Sequence, residues 1–118
     1  MIRSALISMA FALPASAQDL SCRFLVECVD VDCAATAYAF DVTLGEADSL
    51  TISDPTGDAE GRIVGLLVGA EGPGIVAQGT APAGPFVAVL PDPEMGGAAT
   101  YVVAVPGSVH IAYQGSCE

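Results

Sequence analysis

Hydrophobic and polar residues alternate with a period of two in several short segments of this chain, the mark of half-buried β-strands. From Cys22 to Cys28, residues Cys22, Phe24, Val26 and Cys28 share one face, and Arg23, Leu25 and Glu27 share the other. Between Tyr38 and Leu44 the alternation is cleaner, with Tyr38, Phe40, Val42 and Leu44 on the inner side. Leu50 and Ile52 flank Thr51 in a short third strand. Three further runs, Arg62 to Ala70, Gly74 to Gln78 and Pro85 to Leu90, are apolar on both parities. Such runs imply cover on both faces, or at least a weakly polar outer face. The last pair spans Thr100 to Val105 and Ser108 to Ser116. Tyr101, Val103 and Val105 share one face there, and Val109, Ile111 and Tyr113 share one in the final strand.

Dense turn chemistry separates these runs. Gly45 to Asp48, Asp54-Pro55-Thr56-Gly57-Asp58, Glu71-Gly72-Pro73-Gly74, Ala81-Pro82-Ala83-Gly84, Pro91-Asp92-Pro93 and Pro106-Gly107 all read as turns. Proline at a first central position suits types I and II, whereas two-residue hairpins want their mirror images. The Pro106-Gly107 loop is therefore expected to run one or two residues longer than the dipeptide. Ala34 to Ala39 is the one stretch where alanines favour a single helical turn. No long amphipathic helix and no internal repeat is present. The pattern predicts one all-β domain: an antiparallel barrel or sandwich of about eight short strands.

The first residues read differently. Arg3 is followed by an apolar stretch from Ala5 to Leu13 and by Ala15-Ser16-Ala17, an A-x-A cleavage site. Residues 1–17 are expected to be an export signal and residues 18–118 the single β domain. That places all four cysteines in an oxidising compartment, the periplasm or beyond. Asp19-Leu20-Ser21 puts an acidic residue where a lipoprotein signal has an aliphatic one, so no lipid anchor is expected at Cys22. The longest apolar stretch after the signal, Ile63 to Ala70, is too short to span a bilayer as a helix.

Charge narrows the partners. The chain has 14 acidic and 3 basic residues, and no lysine. Loss of Arg3 with the signal would leave Arg23 and Arg62. A phosphate backbone would be repelled, so nucleic acid is not an expected partner. Anionic membrane surfaces are disfavoured for the same reason. The acidity serves solubility, and it can steer a basic protein towards the domain.

Four cysteines allow three pairings. Cys22 and Cys28 lie on one predicted strand, about 20 Å apart if it is extended. A disulfide needs Cα atoms within about 7 Å. Two pairings remain: Cys22–Cys117 with Cys28–Cys33, or Cys22–Cys33 with Cys28–Cys117. The first is preferred, because Cys28 and Cys33 close easily across a local turn. Cys22–Cys117 would then tie the first strand to the last, where an up-and-down barrel closes. With no C-x-x-C pair, neither a zinc site nor a thioredoxin-like redox site is expected.

Little else points to chemistry. His110, the only histidine, sits on the outward parity of the last strand with Ser108, yet no G-x-S-x-G elbow accompanies this nucleophile–base pair. Asp54, Asp58 and Glu60 could together bind Ca²⁺, but their spacing is not that of an EF-hand. Asp30 with Asp32, and Asp92 with Glu94, are weaker versions; all read more simply as turn residues. Phe24, Tyr38, Phe40, Phe86, Tyr101 and Tyr113 read as core, or as the lining of an apolar cavity.

Two segments carry a resemblance: Cys22…Glu27-Cys28-Val29-Asp30-Val31-Asp32-Cys33, and Tyr113-Gln114-Gly115-Ser116-Cys117-Glu118. They resemble small exported bacterial proteins of unknown function with a C…EC…C opening and a Y-x-G-x-C finish. The resemblance implies β structure with disulfides and implies no activity. In size, export and disulfide use the chain is also similar to periplasmic lysozyme inhibitors of the small β-barrel type, which bind a cationic enzyme. It lacks their Ser-Gly-x-x-Tyr inhibitory loop. The expectation is thus an exported, non-catalytic binding domain without metal or cofactor, whose unidentified partner would be a basic protein or another envelope component. The alternatives are a small barrel carrying an apolar ligand and a hydrolase using carboxylates or His110.

Overall fold

The computed structural model describes residues 18–69, 72–107 and 109–118, so the export signal expected over residues 1–17, and Ser108, lie outside the described residues. Nine strands follow in order: β1 (Gln18–Val29), β2 (Asp32–Ala35), β3 (Ala39–Leu44), β4 (Ser49–Asp54), β5 (Gly57–Gly69), β6 (Gly72–Ala81), β7 (Gly84–Pro91), β8 (Gly97–Val105) and β9 (Val109–Cys117). Each neighbour is antiparallel, and β9 returns to pair with β1. The result is a closed eight-strand barrel with one extra strand. The extra strand is β2, which continues along the β1 edge that β3 occupies lower down. Between them Thr36 N–H still donates to Leu25 O and Phe24 N–H to Tyr38 O, so that edge stays bonded across the break.

Closure is the joint between first and last strands. Cys22 pairs with Cys117 in register, and the disulfide links them. Ser21 and Glu118 exchange both backbone hydrogen bonds beyond that pair. At the other end Asp30 N–H donates to His110 O. The second disulfide, Cys28–Cys33, crosses the β1–β2 hairpin. Both bridges suit an oxidising environment.

The inward parity fills the barrel. Leu20, Cys22 and Phe24 on β1, Phe40 and Val42 on β3, Leu50 and Ile52 on β4, and Ala88 and Leu90 on β7 are all buried. The six aromatic residues from Phe24 onwards form one connected cluster, with Phe24 and Phe40 centroids 5.0 Å apart and Phe86 and Tyr101 5.4 Å apart. Tight curvature is obtained at glycines placed opposite rings. Gly115 pairs with Phe24, and Gly79 pairs with Phe86. A Cβ at Gly79 would collide with the Glu60 carbonyl oxygen of β5, and one at Gly115 with the Arg23 carbonyl oxygen of β1. The missing side chains let adjacent backbones approach, and the facing ring covers the gap.

Three expectations are corrected. The alternation predicted through Cys28 breaks at Leu25, an extra residue where the register shifts between Phe24 and Val26. The bulge reverses the parity beyond it, so Val26 is exposed rather than inward and Glu27 lies opposite the half-buried Tyr113. The helical turn possible over Ala34 to Ala39 does not form. Pairing with β1 and the Cys28–Cys33 bridge hold Asp32–Ala35 extended, overriding alanine's local preference. The double-parity run of β5 receives no second cover. Beyond Ile63 it has no β4 partner, and Val64, Leu66, Leu67 and Val68 are exposed. The last loop does exceed its dipeptide: Val105 pairs with Val109, leaving three positions between them.

Two stability predictions follow from the closure and the curvature. Gly79→Ala should cost about 1–3 kcal/mol, because a backbone must move. Gly65→Ala, with open space around its Cβ, should stay within about 0.5 kcal/mol. Equal costs in urea denaturation would contradict the close-approach account. Replacing both Cys22 and Cys117 by Ala opens a separation of 95 residues and should cost about 4–5 kcal/mol in the chain-entropy treatment. The same change at Cys28 and Cys33, separated by 5, should cost about 2 kcal/mol. A larger loss from the short bridge would show that the barrel joint is not the main restraint.

Candidate functional site

One end of the barrel is formed by the β1–β2, β4–β5, β6–β7 and β8–β9 turns, and the chain's three tyrosines gather just inside it. Tyr101 on β8 and Tyr113 on β9 are cross-strand partners. Tyr38 arrives from the break between β2 and β3 and stacks on Tyr113 with centroids 4.4 Å apart. The centroid of Tyr101 lies 6.3 Å from Tyr38 and 6.1 Å from Tyr113. The three rings border a pocket of about 200 Å³ that Ala81, Pro82, Ala83, Val103 and Ile111 also line.

Asp54, the last residue of β4, supplies the charge. Leu50, Ile52 and Asp54 share the inward parity, which brings the carboxylate to the pocket. Its Oδ1 accepts from Thr56 N–H at 2.7 Å, Thr56 Oγ1–H at 2.6 Å and Gly57 N–H at 3.2 Å. Its Oδ2 accepts from the Tyr38 hydroxyl. Burial pushes the Asp54 carboxyl up, but the hydrogen bonds from Thr56, Tyr38 and Gly57 outweigh it and hold the group below the usual carboxylate range. Burial, reinforced by the nearby Asp54 charge, raises all three phenols. Tyr101 is pushed up to about 12, Tyr38 is raised strongly by its bond to Asp54 as well, and Tyr113 also feels Glu27.

The residues considered from sequence fall in separate places. His110 is exposed on the outer wall, in an open groove of about 460 Å³ with Gln78, Pro85, Val87 and Val102. Its backbone N–H donates to Asp30 Oδ1 at 3.3 Å. The calcium trio is dispersed: Asp58 and Glu60 lie on the outward parity of β5, whereas Asp54 points inward. Asp92 Oδ1 accepts from Glu94 N–H at 2.7 Å within its own turn. Among the described residues no group of three His, Cys, Asp or Glu is arranged to hold a metal. Phe24, Phe40, Phe86 and Tyr101 are 1 %, 3 %, 2 % and 2 % exposed and pack ring against ring at mid-height.

The tyrosine–Asp54 assembly went unread in the sequence, although half of it was accessible. Tyr101 and Tyr113 are equally distant from Gly107, so a hairpin centred there pairs them. The Asp54–Tyr38 bond had no such signal, because it joins the end of β4 to the break between β2 and β3, which no hairpin relates.

Charge is also unevenly spread over the wall. Ten carboxylates and both Arg23 and Arg62 fall between Gln18 and Arg62. Strands β6, β7, β8 and β9 contain no Asp, Glu, Lys or Arg. Among the described residues no helix is long and apolar enough to cross a membrane.

The raised phenols set the alkaline limit of stability. A group harder to ionise folded than unfolded contributes stability that is complete below its unfolded value and is lost as pH rises through its folded one. Stability should therefore fall between pH 10.0 and about 12 for Tyr101. Asp54 acts in the opposite sense: its contribution is present above the ordinary carboxylate value and lost as pH falls through its lowered one. Tyrosinate absorbance against pH checks the first part. The tyrosines should ionise late and together with unfolding; one titrating reversibly at its ordinary value in the intact fold would refute it.

No protein-family model, curated protein or solved structure matches this chain.

Proposed function

We propose that this chain is an exported, non-catalytic binding domain whose partner is a basic protein of the periplasm or the extracellular space. The observation that carries this reading is the segregation of charge. The segment from Gln18 to Arg62 carries ten carboxylates, all but Asp54 outside the tyrosine pocket, against two arginines, while β6–β9 carry no Asp, Glu, Lys or Arg. No charged residue is buried among the described residues, so the negative field is directed into solvent. A field of one sign raises the encounter rate with an oppositely charged partner and repels acidic competitors. The two disulfides agree with an oxidising location. Nucleic acid is disfavoured as a partner by the same field.

The test compares a lysine-rich peptide with a glutamate-rich one on the intact protein over a salt series. The Debye length shrinks from about 10 Å at 0.1 M to about 3 Å at 1 M salt. Binding of the lysine-rich peptide should weaken at least tenfold across that range, and Asp58→Asn with Glu60→Gln should weaken it at low salt. Salt-indifferent binding, or equal binding of the glutamate-rich peptide, would overturn the reading.

A further inference from the structure

The pocket at the tyrosine end has unmet hydrogen-bonding capacity, and its composition specifies what could meet it. Tyr101 is 2 % exposed and borders the pocket, yet its hydroxyl makes no hydrogen bond to any described residue. A buried phenol oxygen without a partner is costly unless a ligand or water completes it. Tyr113 likewise makes no side-chain hydrogen bond among the described residues, and Glu27 stands opposite it in register. Asp54 Oδ1 is saturated by three donors, whereas Oδ2 accepts only from Tyr38 and keeps a free lone pair. Asp54 Oδ2, Tyr101 Oη and Tyr113 Oη are thus all open to accept, the two phenols each keeping a proton to donate as well, and Asp54 alone carries charge among them. No cationic side chain lines the pocket, and Arg23 and Arg62 lie exposed on the outer wall.

From this arrangement we propose that the pocket receives a primary alkylammonium group, either the side chain of a partner's lysine or a small aliphatic amine. Three N–H donors match three open acceptors. An anion would meet the Asp54 carboxylate without compensation. A quaternary ammonium offers no N–H to Tyr101. A guanidinium wants a free bidentate carboxylate edge, and the Oδ1 side of that edge is taken by Thr56 and Gly57. Ala81, Ile111 and Val103 present apolar surface for the methylene stem, and the tyrosine rings add cation–π attraction. A volume of about 200 Å³ suits a short chain rather than a larger ligand.

The proposal rests on the basic-partner reading only where the amine is a lysine, and the test separates the two. The chain has no Trp and three Tyr, so intrinsic fluorescence reports on this pocket alone. Butylamine at neutral pH should change that fluorescence saturably, while butanol and tetramethylammonium should not. Tyr101→Phe keeps the ring and loses only an unpartnered hydroxyl, so its melting temperature should hold while butylamine affinity falls at least tenfold. A lysine-rich peptide that competes with butylamine and binds at least tenfold tighter identifies a protein side chain as the source; saturation by butylamine without that gain identifies a free amine. No saturable change with butylamine, equal affinity in Tyr101→Phe, or equal binding of butanol overturns the proposal. If the peptide then still binds both forms with unchanged salt sensitivity, the pocket assignment fails and the acidic-surface reading stands. If butylamine binds and the peptide does not, the pocket assignment stands and the basic-partner reading fails.

Discussion

The joint between β1 and β9 is the constraint on which the rest of this structure depends. Without it the eight-strand meander is an open sheet with two long edges and one solvated apolar face. With it, every inward side chain acquires neighbours on all sides. Pairing first strand with last is also the entropically expensive contact, since it closes almost the whole chain. The Cys22–Cys117 bridge sits at that contact, buried inside the wall, with Ser21 and Glu118 completing the ladder beyond it. The bridge therefore restrains the unfolded chain at the point where folding loses most freedom.

Closure imposes a second requirement, that strands bend hard enough to meet. This chain meets it by omission. Gly61, Gly79 and Gly115 lie where a Cβ would strike the neighbouring strand, and Phe86 and Phe24 cover the spaces so created. These phenylalanines also anchor the aromatic cluster, so curvature and core share residues. At the end bearing the β4–β5 and β8–β9 turns the cluster changes character from phenylalanine to tyrosine. Hydroxyls there replace apolar edges, and Asp54 enters because its own turn, held by Thr56 and Gly57, aims it inward. A polar, partly buried site is thus built from the ends of strands whose middles are core.

Charge is distributed unequally around the wall. The acidic residues concentrate on β1–β5, while β6–β9 carry no Asp, Glu, Lys or Arg. The protruding end of β5, with Val64, Leu66 and Val68 exposed, lies at the opposite end of the barrel from the tyrosine pocket. Apolar residues on both parities of that strand are not explained by the barrel core, which ends at Ile63.

The sequence by itself determined the β class, the approximate strand count, most inward positions and the preferred disulfide pairing. Each of these depends on local alternation, on turn residues or on a length that the extended chain must span. Tertiary structure alone decided that the sheet closes into a barrel, because alternation is the same on a curved sheet and a sandwiched one. It also decided the Leu25 bulge, since one inserted residue leaves no mark in composition yet reverses every position after it. The extended Asp32–Ala35 segment was settled by pairing and by the Cys28–Cys33 bridge rather than by alanine's propensity. The pocket was partly legible: the turn at Gly107 sets Tyr101 opposite Tyr113, but Tyr38 and Asp54 come together only because the β2–β3 break and the end of β4 converge on one rim. Alternation says which side of a strand a residue occupies, and only closure says what waits on that side.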